Sequence, residues 1–574
     1  MKNQTVIYLL IAITASLYLL VQCCLPKDVF WTSDEGNKFI QTQNISSFNE
    51  IRINYPAEDI DPEYKYFPYC GHHFKKLDNG VYSFYPFYLP YISSFFYKAA
   101  GTAGIYFIPL ISAIGIFILL FMLTKKLDIE KLFLCGLAAA AFCTPLFFYA
   151  FTFWEHTLSV FLCTAGILLL LRAQKKYILF AGILTGLSAV FREEAYIMFF
   201  SIACAYFICT RNKEKTSLYA AGWLFVMLPL WMIQKDIYGY FMGIHSAVYI
   251  SMEGGGAPFI EFFLNKLSNF YVYIFRFSPG GVNPYMALIT ALPFALCCIS
   301  GMAFRDFKSG LKTKSLFLSL SCAGGTFLTI FLYRSSNPVF DTLFTQSLIP
   351  STPFILIAAV SAGAFLYSDK MPLKMLSIIC LFFSVITCLL VNQKDIGIIW
   401  GPRHFLFLYP LLIPLCLYAA KETAAFFIDR RERVFFISVC IWLLMLSCAV
   451  QFCGIRDLFY KKDCSEKILA SVNSLDSEVI VTDVFWLPEE LSSIFFRKKI
   501  LMVNPGKNLE GLVKLLKDRK VKSFALILSK NYRAIRNEDL IKSLDKVTVL
   551  SERAVSFPKA KFLGLNMLLC RIPE

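Results

Sequence analysis

The sequence predicts an α-helical polytopic membrane protein with a small C-terminal extracytoplasmic α/β domain. Three observations carry that expectation. Of 574 residues, 57% are hydrophobic and only 17% are charged, against about 25% charged in soluble chains; a water-soluble globule of this composition lacks the polar surface to cover itself. The apolar residues fall into thirteen runs of spanning or near-spanning length. Beyond residue 452 the pattern changes to short strands alternating with helices.

The same composition excludes a disordered chain, a collagen, a coiled coil and a small disulfide scaffold. Net charge is +16, but much of the excess sits in short loops between apolar runs, where it orients helices in a bilayer. With no soluble face rich in arginine and aromatics, no nucleic-acid partner is expected. Most of the 19 cysteines lie inside apolar runs, as do Cys23, Cys24, Cys297, Cys298 and Cys440, and behave there as small hydrophobes. No C-x-x-C pair marks a zinc or redox site.

A spanning helix takes about 17–25 largely apolar residues. The runs are Val6–Leu25, Ile105–Leu123, Leu132–Phe151, Thr157–Leu171, Tyr177–Phe191, Ala195–Thr210, Leu218–Ile233, Tyr285–Phe304, Ser315–Tyr333, Leu348–Tyr367, Met375–Val391, Phe405–Ala420 and Val434–Phe452. The first lacks a small-residue cleavage site and reads as a retained span. The fifth and sixth are parted only by Arg192-Glu193-Glu194. One long helix across them would put Arg211, Lys213 and Lys215 outside, so charge favours two short helices. Counted over alternate loops, 19 lysines and arginines fall on one side, while the short loops of the other hold only Arg192, Arg334, Lys394 and Arg403. The richer side is the cytoplasmic one. The N-terminus is then inside and the C-terminus outside.

The expected organisation is a membrane domain over residues 1–452 and an extracytoplasmic α/β domain over 453–574. Two long outer loops interrupt the first, at 26–98 and 234–283. Within the former, the aromatic stretch Tyr85–Tyr97 is too short to span and reads as an interfacial helix. In the tail, Glu478–Thr482, Lys499–Val503, Ser523–Leu528 and Leu565–Cys570 read as strands, and Glu510–Lys520 and Glu538–Leu544 as helices, giving a partly parallel sheet. The tail carries 22 Lys/Arg against 15 Asp/Glu, which suits anionic headgroups.

Ionisable groups at membrane depth are costly and so are functional candidates. Asp34 and Glu35 stand shortly after the first span. They would serve as a general base with an orienting partner, or as the acidic start of a helix capped by Ser33 or Asp34. Glu155 and His156, after Trp154, open the fourth apolar run. They suit a divalent cation or a sugar, or an interfacial pair anchored by Trp154. Arg192 and Glu193, with Glu194, form either a site or a neutralised hairpin tip. Trp400-Gly-Pro-Arg403-His404 precedes the twelfth run; an arginine there forks onto phosphate oxygens, or anchors a helix end at headgroups. Lys235 and Arg334 read as anchors. Asn44-Ile-Ser46 is a glycosylation sequon with meaning only in a eukaryotic secretory setting. Taken together, a carboxylate that activates a hydroxyl and a cation that takes charge from a phosphate leaving group describe glycosyl transfer from a lipid-phosphate sugar.

A first span followed by an outer Asp-Glu resembles the GT-C glycosyltransferases, which include the protein O-mannosyltransferases and the lipid A aminoarabinose transferases. Phe153-Trp-Glu-His-Thr157, Phe191-Arg-Glu-Glu194 and Trp400-Gly-Pro-Arg403 are similar to motifs of that superfamily, and thirteen spans with an outer α/β tail resemble the aminoarabinose transferase layout. The resemblance implies an inverting transfer. Asp34 would be the catalytic base, with Glu35 beside it. Glu155, His156, Arg192, Glu193, Arg403 and His404 would bind substrate, with Arg403 on the donor phosphate. Family members differ in metal dependence, and a Mg or Mn ion at Glu155 and Asp34 stays open. The implied partners are a polyprenyl-phosphate sugar donor, a lipid, glycan or protein acceptor, and membrane lipids, at a bacterial inner membrane. A transporter or lipid flippase, and a polysaccharide polymerase or ligase, are the alternatives. A transporter would place ionisable residues near the midplane and show related halves; here they cluster at one face.

Overall fold

The computed structural model describes residues 2–68, 73–244, 266, 269–270, 272–274, 347–359, 361–391, 398–503, 508–530, 537–558 and 560–573. The expected spans Tyr285–Phe304 and Ser315–Tyr333, the turn at Gly254-Gly255-Gly256, Arg334 and Lys394 lie outside the described residues. The described chain is mostly helical, and it is a multi-pass membrane protein. Six of its helical stretches are long and apolar enough to cross a bilayer, among them Thr5–Cys24, Lys213–Tyr238, Met371–Leu390 and Arg430–Asn473.

The chain divides into two compact units. The first comprises Met1–Cys23, Ile108–Ile233 and Gly254–Arg456, the second Cys24–Phe107, Gln234–Glu253 and Asp457–Glu574. The expected junction at 452/453 thus falls inside one continuous helix, Arg430–Asn473, and the second unit unites the segment expected as the first long outer loop with the tail.

In the first unit, His156–Leu170 and Lys175–Phe191 pack along their length. Small residues permit the approach. Gly166 carries no side chain where a Cβ would stand 3.0 Å from the Ala181 carbonyl and from Thr185 Oγ1, as expected where polar or small groups line helix contacts in lipid. Two serines then fix the register. Ser159 Oγ donates to the Ser188 carbonyl and Ser188 Oγ to the Ser159 carbonyl, both at 2.9 Å. The stretch Tyr177–Thr210 is two helices: Lys175–Phe191 ends and Glu194–Thr210 begins around Arg192 and Glu193. A nest of rings surrounds Tyr18, whose hydroxyl donates to the Ala141 carbonyl at 2.6 Å and whose ring meets Phe117, Phe147 and Phe151.

Two expected spans are broken. Leu132–Phe151 is Phe133–Phe142 followed by a separate turn, Leu146–Tyr149, because Pro145 cannot continue the helical ladder. Leu348–Tyr367 is four short pieces, Leu348–Ser351, Pro353–Ile355, Leu356–Ala359 and Ala362–Leu366, with Pro350 and Pro353 at the breaks.

In the second unit, Ser33–Phe48 is a helix whose N-cap is Thr32, accepting from the Glu35 amide at 3.4 Å; the cap is one residue earlier than expected. It ends on Asn49 at φ +55°. Asn44, the sequon residue, is buried and spends its amide on the Glu50 and Arg52 carbonyls and the Asn54 amide. A hairpin of β1 (Phe74–Leu77) and β2 (Gly80–Ser83) follows, then the helix Tyr88–Ala100 close to where the aromatic stretch placed one. The tail forms a five-stranded sheet of β3 (Val479–Thr482), β4 (Lys499–Met502), β5 (Ser523–Ser529), β6 (Thr548–Val555) and β7 (Leu565–Arg571), in the order β4-β3-β5-β7-β6. β3 pairs in parallel with β4 and β5, and β7 antiparallel with β5 and β6. The core strand β3 is buried throughout while the edge strand β6 is exposed. The helices Leu509–Asp518 and Asn537–Leu544 connect the strands.

Candidate active site

The expected site residues fall in both units. In the first unit the serine pair brings two helix ends together. Glu155 precedes His156–Leu170 one turn before Ser159, and Arg192 follows Lys175–Phe191 one turn after Ser188. Arg192 Nη1 consequently reaches Glu155 Oε1 at 3.1 Å, and its Nε reaches Glu194 Oε2 at 2.9 Å. Its second amino nitrogen also pairs with Glu194. All three guanidinium nitrogens are thus spent on carboxylates. The carboxylate that Arg192 grips is Glu194, not its neighbour Glu193; Glu193 lies just ahead of the helix that Glu194 opens.

His404 Nδ1 bonds the same Glu194 carboxylate, and Arg403 Nε donates to His404 Nε2 at 3.3 Å. The Arg403 guanidinium lies over the Trp154 ring, 5.9 Å from its centroid. One cluster therefore joins Glu155, Arg192, Glu194, His404 and Arg403. Partly buried charges are tolerated when matched in this way. The His156 ring packs against both Tyr149 and Trp154, with centroids 4.7 and 4.6 Å away, and those two rings meet each other at 5.4 Å.

The backbone at Trp400–Arg403 is held from several sides. The Tyr149 hydroxyl donates to the Trp400 carbonyl at 2.8 Å, and Trp400 Nε1 donates to Gln451 Oε1 at 3.0 Å. Gln451 in turn donates to the Ser351 carbonyl at 2.6 Å. Gly401 turns the chain at φ +63°. Arg403 and His404 open the helical stretch that continues to Phe426.

In the second unit, Asp34 and Glu35 stand in the first turn of Ser33–Phe48, where carboxylates favour the helix dipole. Glu35 is fully buried and Asp34 is partly exposed. Asp34 Oδ1 lies 3.7 Å from His73 Nε2, and His73 Nδ1 lies 2.9 Å from Glu489 Oε1. Two adjacent lysines are also buried. Lys461 pairs with Glu490 and donates to the Phe30 carbonyl at 2.9 Å. Lys462 donates to the Pro26 carbonyl and to the Tyr106 hydroxyl, both at 2.9 Å. The sequence reading did not single out His73, Glu489, Lys461 or Lys462; nothing local marks them, because their partners are remote in the chain. Lys235, read as an anchor, lies over the Phe241 ring at 4.6 Å.

A metal needs a denser donor set. Among the described residues no group of three or more His, Cys, Asp or Glu side chains gathers to hold an ion, and the Glu155 carboxylate faces a guanidinium. Of the two residues expected to hold a Mg or Mn ion, Glu155 has its carboxylate paired with Arg192 in this structure.

The arrangement defines a multi-pass membrane protein of GT-C fold with a charged cluster at its helix ends. Over 97% of both chains it superimposes on the crystal structure of ArnT, a lipid A aminoarabinose transferase, from Cupriavidus metallidurans bound to undecaprenyl phosphate, with a TM-score of 0.56 and 11% sequence identity. The apo form of that protein gives a TM-score of 0.55 at 10% identity, again over 97% of both chains. The oligosaccharyltransferase of Archaeoglobus fulgidus matches at a TM-score of 0.49 and 13% identity, covering 90% of this chain and 68% of that one. No family model and no curated protein matches the sequence. At these identities the likeness is one of fold.

Proposed function

We propose that the protein is an inverting glycosyltransferase that moves a sugar from a polyprenyl-phosphate donor to a lipid, glycan or protein acceptor at the extracytoplasmic face. The observation that carries this reading is the contrast between two arginines. Arg192 is consumed by Glu155 and Glu194. Arg403 is braced on Trp154, and among the described residues its one hydrogen bond leaves from Nε, to His404. Its two amino groups keep their donors for a bidentate phosphate. The fold likeness to a protein whose crystal structure holds undecaprenyl phosphate supports the same donor class.

In this reading the acceptor hydroxyl attacks the anomeric carbon from the side opposite the phosphate. Asp34 takes the hydroxyl proton. The bond from the anomeric carbon to the phosphate oxygen breaks, its electron pair leaves on the phosphate, and Arg403 stabilises that charge where it develops. Glu194 and His404 set the angle of Arg403, while Arg192 and Glu155 hold Glu194 and the helix ends in place. Orientation follows loop charge: N-terminus cytoplasmic, C-terminus outside, in a bacterial inner membrane.

The test is binding of undecaprenyl phosphate to the full-length protein in nanodiscs. Arg403→Ala should weaken it roughly tenfold or more, the cost of one charge-assisted contact, and Arg403→Lys by less. Asp34→Asn should bind normally yet abolish transfer from polyprenyl-phosphate sugars extracted from bacterial envelopes. Wild-type affinity in Arg403→Ala would refute the phosphate role, and normal transfer by Asp34→Asn the base.

A further inference from the structure

The carboxylate proposed as base is backed by two groups far from it in sequence. Asp34 Oδ1 faces His73 Nε2 at 3.7 Å, and the opposite ring nitrogen faces Glu489 Oε1 at 2.9 Å. Exposure falls along this line, from 25% at the Asp34 side chain through 6% at His73 to 0% at Glu489. The ring is fixed at its backbone, because Asn37 Nδ2 donates to the His73 carbonyl at 2.9 Å and Ser83 Oγ holds Asn37 from the other side. Glu489 is fixed too. It belongs to the turn Leu487–Glu490 shortly after the core strand β3, and its carbonyl presses against Gly36, where a Cβ would come within 2.2 Å.

Of the other charges on these elements, Glu490 is paired with Lys461, and Lys38 lies over the Tyr85 ring at 5.1 Å. A fully buried carboxylate such as Glu489 is tolerated only beside a group that carries or shares a proton, and His73 is within reach to do so. A carboxylate behind an imidazole selects its tautomer and its orientation.

Resting on the transferase reading, we propose that Glu489 and His73 are positioning residues for Asp34, a carboxylate–imidazole–carboxylate relay in which the C-terminal α/β domain supplies the buried acid behind the base of the first outer segment. His73 Nδ1 and Glu489 Oε1 are within contact distance but not aligned as a hydrogen bond; in the proposed relay the imidazole turns its Nδ1–H onto Glu489 and keeps the Nε2 lone pair toward Asp34. The acceptor proton moves to Asp34 as the new bond to the anomeric carbon forms and the phosphate departs with the old bonding pair. Asp34 then passes the proton to His73 Nε2, and Glu489 compensates the imidazolium. The proton returns through the exposed edge of Asp34 to water, restoring both carboxylates. A separation of 3.7 Å is looser than a hydrogen bond, as catalytic contacts often are before substrate tightens them.

The experiment uses the full-length protein in nanodiscs with 15N-labelled histidine; the chain has 5 histidines, and His73→Gln assigns the signal. His73 is expected as the Nδ1–H tautomer, with nitrogen shifts that move in Glu489→Gln and in Asp34→Asn while the His404 signals stay fixed. Protonation on Nε2 instead, or a signal indifferent to Glu489→Gln, overturns the relay. With the extracted polyprenyl-phosphate sugars, Glu489→Gln should lower kcat roughly 10- to 100-fold with little change in KM, Glu489→Asp should recover part of it, and Glu489→Gln should add nothing in an Asp34→Asn background. A rise in KM at unchanged kcat contradicts the proposal. Wild-type protein that transfers nothing while keeping the His73 signature overturns the transferase reading and the relay's catalytic use with it, and leaves the contact itself standing.

Discussion

A side chain at position 401 would have to enter space that Pro145 already fills: a Cβ there stands 2.6 Å from Pro145 Cγ, on backbone at φ +63°. Both the clash and the conformation oppose any L residue. Gly401→Ala is therefore expected to cost about 1–3 kcal/mol of stability, read as a lowered unfolding midpoint. It should also weaken undecaprenyl phosphate binding, because Arg403 is two residues on; unchanged binding would show that Arg403 is placed by other contacts. Trp400-Gly-Pro-Arg403-His404 stood out in the sequence as a cation ahead of an apolar run, and the structure adds the turn at Gly401. The choice between Glu193 and Glu194 was not legible: adjacent carboxylates at a helix start differ by about 100° in direction, and only the helix phase decides which one faces Arg192. His73 was illegible for a plainer reason, since both of its acidic partners come from other segments.

At the scale of elements, the serine pair between His156–Leu170 and Lys175–Phe191 does what ion pairs alone cannot, because it fixes axial register inside the bundle. Ser188→Val removes a hydroxyl and leaves the Ser159 carbonyl without that donor. The expected loss is about 1–3 kcal/mol, seen as earlier thermal unfolding, with a weaker grip of Arg192 on Glu155. If Ser188→Val unfolds like the wild type, the helices are held by packing alone. Charge breaks in the sequence marked the hairpin at Arg192 correctly. Hydropathy windows failed at Leu348–Tyr367 and Leu132–Phe151, because mean apolarity does not register a proline that stops the backbone ladder. The buried strands of the tail were visible through their apolar runs. Strand β6 was missed, since its exposed residues carry no alternation and it bulges between Val549 and Ser551.

Across the whole molecule, Cys24–Phe107 and Asp457–Glu574 belong to one compact unit, although in the sequence they read as loop and domain. Composition shows where a chain changes character but not which distant segments later share a core. If loop charge sets the topology as proposed, alkaline phosphatase fused after Glu574 will be active and a fusion at the Lys125-Lys126 loop inactive; the reverse pattern would invert the orientation. The discontinuity of the second unit also bears on biogenesis. Its first portion, Cys24–Phe107, leaves the ribosome long before Asp457–Glu574 exists. At roughly 5–20 residues per second, the nascent segment waits on the order of tens of seconds with Glu35, His73 and Asp34 lacking their final neighbours. A chain truncated before the tail is expected to leave that segment without those neighbours, read as faster proteolysis of Cys24–Phe107 than in the full-length protein.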